Sequence, residues 1–247
     1  MPNPLPAAAT PPSFVDMRQF ARDPSQGIAV AGTPGDDRFL ASRRCLDRAP
    51  GPVTAGVIAL EAGGGAVPSM PADEFIIVDE GSLTLSYPDA VLTLEAGQRA
   101  VIQQGAAFSW SADRPVSLIF TRYNGSQPGK RAILPIKENP QLEPSGAPLA
   151  ELLLTPTPAC RNYSDYRSAD GEFVCGTWDS TPYHRRAMLY RHFELMVLLE
   201  GSVTLVDETG REGTFSKGDI FLVEQTATCS WESREQVAKV YVIYRPA

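Results

Sequence analysis

The apolar positions of this chain fall in short runs broken by Gly, Pro, Asp and Ser, and many runs alternate apolar with polar residues. A period of two sends successive side chains to opposite faces, so the pattern predicts strands rather than helices. In the first half the strands are predicted at 38–42, 54–60, 74–78, 83–87, 90–94, 99–103, 108–111 and 116–122. In the second they are predicted at 173–178, 185–190, 194–199, 203–206, 213–215, 220–223, 229–232 and 237–244. Many short strands separated by turn residues predict an all-β sandwich or barrel. Pro88 with Asp89, and residues 207–210 (DETG), read as hairpin turns.

Three stretches fall outside this pattern. Residues 1–12 are rich in Pro and Ala and can bury little, so a disordered or loosely docked arm is expected there. Phe14, Met17 and Phe20 then recur at helical spacing. They predict a short helix or docked segment that covers an edge of the first sheet. Residues 124–162 are rich in Pro, Gly, Ser and Asn, with one apolar patch at 149–154 that reads as a helical turn or a strand. The domain boundary is placed near Pro135, giving a first domain at 13–135 and a second at 136–247.

The two halves repeat each other. Residues 74–83 read EFIIVDEGSL and residues 194–203 read ELMVLLEGSV. Glu74 and Glu194 each stand seven residues before a glycine, Gly81 or Gly201, and eighteen after another, Gly56 or Gly176. Downstream, 95–110 (EAGQRAVIQQGAAFSW) echoes 216–231 (SKGDIFLVEQTATCSW), and the copies close at Tyr123 and Tyr244. The offset grows from 120 to 121, so the second copy gained one residue. A duplication of this kind predicts two tandem barrels.

Composition removes some functions. A hydrophobic fraction of 43% over 247 residues is enough for two cores. The net charge of −7 gives no basic footprint for nucleic acid or an anionic membrane. No apolar run approaches the roughly 20 residues of a membrane span. The N-terminus lacks the basic start and apolar core of a secretion signal, and the four cysteines show no CxxC spacing. A cytoplasmic protein with reduced thiols is expected.

Each copy resembles a cupin, a small antiparallel jelly-roll barrel (double-stranded β-helix), and the chain resembles a bicupin. The glutamate, apolar run and glycine resemble the first cupin motif, and the AGQ and KGD turns resemble the second. The run CGTWDSTP, FELMVLLEG, KGDIFLVE and CSWE resembles the cupin_3 (DUF861) subfamily of RmlC-like cupins. The resemblance implies a divalent metal held by two histidines six and four residues before the glutamate and a third eleven after the second-motif glycine. Those places hold Pro68, Met70 and Phe108 in the first copy and Met188, Tyr190 and Cys229 in the second. Only the glutamates match, so no metal cofactor is expected. The fallback is one divalent ion (Zn, Mn, Fe or Ni) held by His192, Glu194 and Cys229, since His192 and Glu194 would share a strand face. The simpler reading, preferred here, leaves His192 in a turn facing water and Cys229 as a small core residue.

With no metal, the barrel interior remains. The first barrel is lined by Glu74, Ile76, Val78, Phe108 and Trp110 and is expected to be filled. The second offers Glu194, Tyr190, Met196, Cys229, Trp231, Trp178 and Arg186 as a lining for a small organic ligand. Trp110 and Trp231 also read as core plugs. A buried carboxylate needs a cation. Arg185, Arg186 or Arg191 is the expected partner of Glu194, and Arg99 or Arg122 that of Glu74. The favoured function is a metal-free binding module. One alternative is an enzyme of small-molecule or sugar metabolism, metal-dependent or an epimerase-like acid–base catalyst using His192, Tyr190 and Glu194. Another is a structural dimerisation module, as cupins pair through their sheets and a homodimer is a possible partner state.

Overall fold

The structure is a computed structural model that describes residues 12–30, 37–88 and 90–247. Most of the expected arm, and Asp89 of the turn at Pro88, lie outside the described residues. The chain folds into two jelly-roll barrels, each built from one seven-stranded and one four-stranded antiparallel sheet. In each large sheet the glutamate-bearing strand, Asp73–Glu80 or Phe193–Glu200, lies against the closing strand of its copy, Val116–Tyr123 or Val237–Tyr244. No described helix is long and apolar enough to cross a membrane.

Both faces of these central strands are buried. Met196 and Leu198 point into the second barrel beside Cys229 and Trp231, while Leu195 and Val197 join one cluster with Val57, Ile77 and Ile119 of the first copy. That shared cluster joins the two large sheets. It also explains why these strands read as unbroken apolar runs rather than as alternation. The repeated glycines have two causes. A Cβ on Gly56 would lie 2.2 Å from the Arg44 carbonyl oxygen, and one on Gly176 would lie 2.0 Å from that of Tyr163. Gly81 and Gly201 sit at φ +88° and +72°, in the left-handed region, where the chain turns from the large sheet of each barrel into the small one.

The expected place of the segment at Phe14–Phe20 is corrected. Phe14–Asp16 forms a strand on Ile220–Val223, the edge of the second barrel's sheet rather than the first's. The helix Met17–Arg22 follows, capped by the Asp16 side chain. In the pseudo-symmetric place, Ile133–Pro135 pairs with Arg99–Ile102 of the first barrel. The strand that leads into each copy thus closes the sheet edge of the other. The segment 38–42 is also corrected: Asp37 accepts from the Phe39 amide at 2.8 Å and starts a short helix, Arg38–Ala41, in place of a strand. The strand Cys160–Arg167, CRNYSDYR, is too polar to be read from its pattern and is ordered by pairing along Phe173–Ser180. Gly63–Val67 is hidden by its glycines. The patch at 149–154 holds a 3-10 turn, Ala150–Leu152, and a bridge from Leu153 to Arg185.

Phe14 ties the exchanged strand to the second barrel, with its ring edge-on to Phe215 at 6.0 Å and the Arg211 guanidinium 4.4 Å above it. Phe14→Ala is expected to lower stability by about 3–5 kcal/mol. Urea unfolding followed by circular dichroism measures this, and an unchanged midpoint would show that the strand does not hold the barrel.

Candidate functional site

The two glutamates occupy equivalent places and meet different cations. Glu74 is fully buried and takes a bidentate pair from Arg43, at 2.8 and 2.9 Å, and a third bond from Arg122 Nε at 2.7 Å. Burial raises its carboxyl, and the two arginine charges outweigh that and hold it below the usual range. Of the expected partners Arg122 is present and Arg99 is not. Arg99 instead donates to the Gly97 carbonyl oxygen. Arg43 was not anticipated. It comes from a short strand, Arg43–Cys45, and lies 4.6 Å over the Phe120 ring. Phe39 fills the space above, with its ring edge-on to Phe108 at 5.2 Å. The first barrel is filled.

The second barrel keeps the carboxylate and moves the cation. Glu194 Oε1 accepts from Lys239 Nζ at 2.8 Å, and Oε2 lies 3.2 Å from His192 Nε2. Lys239 also donates to Met196 Sδ at 3.1 Å and sits 4.9 Å over the rings of both Trp178 and Trp231. The expected partners are therefore corrected: Arg185, Arg186 and Arg191 do not pair with Glu194. In register Lys239 takes the place of Leu118, Ile243 that of Arg122 and Asn162 that of Arg43. Lys239 was legible only as the lone charge in the apolar strand VAKVYVIY. Burial raises the Glu194 carboxyl, and Lys239 followed by His192 overcome it and hold it at about 2.

His192 is buried and lines the interior beside Tyr190, with ring centroids 5.3 Å apart, so the water-facing reading of His192 is corrected. Arg186 is exposed and Arg185 points inward in its place. The cause is a bulge between Arg185 and Met188 that breaks the alternation used to predict Arg186. Arg185 donates to the Tyr190 hydroxyl at 2.6 Å and to the Cys229 carbonyl oxygen at 2.9 Å.

Two lobes of cavity open here. One, of about 590 Å³, is walled by Trp178, Tyr183, Arg185, Met188, Tyr190 and Trp231, and His192 and Leu152 of the 3-10 turn also line it. The other, of about 530 Å³, is more polar and includes Asn162, Ser164, Arg167 and Tyr241. They share Trp178, Glu194, Lys239 and Arg245. Of the predicted lining, Glu194, Tyr190, Trp231 and Trp178 line the cavity. Met196 and Cys229 lie behind it, fully buried. Trp178 and Trp231 meet edge to face at 6.2 Å.

These residues do not fit a cupin metal. Both oxygens of Glu194 are engaged by Lys239 and His192. Among the described residues no three His, Cys, Asp or Glu side chains are grouped to hold an ion, so His192, Glu194 and Cys229 are not assembled as a ligand set. Burial pushes the Cys229 thiol up to about 11, so it is protonated at neutral pH. Lys239 supplies the positive charge beside the glutamate.

Comparison with known proteins places this architecture. The family model described as an EutQ-like cupin domain, Cupin_3, matches residues 167–241. A solved protein of unknown function of the DUF861 family, from Pseudomonas syringae pv. tomato str. DC3000, is 30% identical with a TM-score of 0.80, over 88% of this chain and 91% of that one. A cupin 2 conserved barrel domain protein from Leptotrichia buccalis is 12% identical with a TM-score of 0.58, over 82% and 88%. A variant of salicylate 1,2-dioxygenase from Pseudoaminobacter salicylatoxidans is 14% identical with a TM-score of 0.55, over 97% and 85%, a likeness of fold alone. No curated protein matches the chain.

Because the Glu194 carboxyl is depressed in the folded state, its stabilisation is complete above about pH 4.5 and is lost as pH falls toward about 2. Glu194→Gln is expected to flatten the acid limb of the stability–pH profile in that window. Lys239→Met, which leaves the carboxylate buried with His192 alone, is expected to cost about 3–5 kcal/mol at neutral pH. Denaturant melts across pH check both, and wild-type behaviour in either variant would contradict the ion pair.

Proposed function

Since this chain belongs to the DUF861 (Cupin_3) family of cupins, we propose that it is a binding cupin whose second barrel holds a small organic molecule without a metal. The observation that carries this reading is the contrast between the barrels. The first is plugged by Phe39, while the second keeps an aromatic cavity of about 590 Å³ with Lys239, Glu194 and His192 at its floor. Concave, largely apolar pockets with a few convergent polar groups are the usual form of small-molecule sites. The first barrel serves as scaffold, contributing the shared core and the exchanged edge strand.

A second reading, metal-free proton transfer, is favoured by one observation: His192 lines the same cavity and is oriented by Glu194 at 3.2 Å. Binding comes first in either case.

The test is a thermal-shift screen of small organic molecules against the whole chain and against Leu152→Trp, which fills the mouth of the cavity. Ligands that occupy the native cavity raise the wild-type melting temperature in proportion to the logarithm of their concentration. The expected result is a set of such compounds whose effect is lost in Leu152→Trp. A screen with no hits, or hits indifferent to the filled mouth, would overturn the reading.

A further inference from the structure

Two groups on the wall of the second cavity lack the partner that burial demands. Arg185 is 3% exposed, and its guanidinium donates to the Tyr190 hydroxyl and to the carbonyl oxygens of Cys229 and Arg186, all neutral acceptors. Among the described residues no carboxylate lies within ion-pair distance of it. A buried cation without a counter-ion is costly. Trp231 is 2% exposed, and among the described residues its indole N–H has no acceptor. These two are neighbours: Arg185 and Trp231 stand directly opposite in the strand register, where side chains on one face touch.

The first barrel shows what such a place takes. Its counterpart pair is Gly65 and Trp110. There the Trp110 indole N–H donates to Asp37 Oδ1 at 2.6 Å, and Asp37 Oδ2 accepts from the Ala66 amide at 3.0 Å. Gly65 makes room for this carboxylate, which lies 2.0 Å from where a Cβ would stand. Asp37 begins the helix that inserts Phe39. The first barrel thus carries its own occupant, a carboxylate on the tryptophan N–H with an aromatic ring beside it. In the second barrel the equivalent edge is covered by the 3-10 turn Ala150–Leu152, which buries none of its residues and has no side-chain cap. Where the first copy has glycine, the second has Arg185.

From this internal comparison we infer that the second cavity takes a small organic carboxylate with an apolar, preferably planar, body. The carboxylate bridges the Arg185 guanidinium and the Trp231 indole N–H, and the body lies among Trp178, Tyr183 and Met188. Arg245 on the same cavity adds to the positive field, while Lys239 is neutralised by Glu194. The uncapped turn Ala150–Leu152 is the wall that yields as the ligand enters. This inference rests on the binding reading above and narrows it to one class of ligand.

The experiment titrates the whole, ¹⁵N-labelled chain with 3-phenylpropanoate, hexanoate and benzoate. It compares them with their amides and with 3-phenylpropylamine, following the three tryptophan indole resonances and fitting Kd. Trp231→Phe assigns its own resonance. The expected result is a carboxylate that binds at least about tenfold more tightly than its amide, the step set by a charge-assisted hydrogen bond. It moves the Trp231 indole signal and leaves that of Trp110, already held by Asp37, in place. In Arg185→Gln the preference for carboxylate over amide falls toward unity. If that variant does not fold, the wild-type ratio and the Trp231 signal still decide. Amides or the amine binding as well as the acids, or binding that leaves Trp231 unmoved, would overturn the carboxylate assignment while the binding reading stands. Failure of every probe at millimolar concentration would overturn the assignment too, and the broader screen would then separately decide whether the cavity binds anything.

Discussion

A carboxylate at the centre of each barrel is the constraint around which this chain is arranged. Burying an ionised glutamate without a partner is prohibitive, so every strand that faces it must either supply charge or stay out of its way. In the cupins that this chain resembles, a metal ion is expected in that role. Here the charge is covalent. Arg43 and Arg122 hold Glu74 in the first barrel, and Lys239 with His192 holds Glu194 in the second. The cations come from different strand positions in the two copies, so duplication preserved the acid and each barrel then met its demand independently. The choice has consequences for shape. Among the described residues, two arginines and Phe39 pack the interior of the first barrel, whereas one slender lysine, flanked by tryptophans, leaves a cavity in the second.

The exchanged edge strands give the duplication a mechanical meaning. Phe14–Asp16 closes the sheet of the second barrel and Ile133–Pro135 closes that of the first. One apolar cluster joins the large sheets face to face, so each barrel buries that face of its large sheet against the other.

Much of this fold could be read from the sequence because its signals are local. The strand runs, the hairpin at 207–210 and the 120-residue repeat are properties of neighbours along the chain. What could not be read depends on pairing. Cys160–Arg167 becomes a strand only because Phe173–Ser180 lies beside it, and Asp37 turns an apparent strand into a helix through one side-chain cap. At the site, Glu194 and Trp231 follow from alternation, which a regular strand preserves, and Tyr190 from the family's histidine position that it fills. Arg186 was a miss and Arg185 took its place because a bulge shifts the phase by one residue. Lys239 is not legible as the partner because forty-five residues separate it from Glu194 and only strand pairing brings them together.

The central claim is that built-in cations replace the metal of the fold, and metal content tests it most directly. Plasma mass spectrometry on untagged protein, before and after incubation with Zn, Mn, Fe and Ni followed by desalting, is the measurement to make. The account predicts a bound transition metal far below one equivalent per chain in every case. Close to one equivalent, retained through desalting, would contradict it, because Glu194 would then have to release Lys239 to bind the ion.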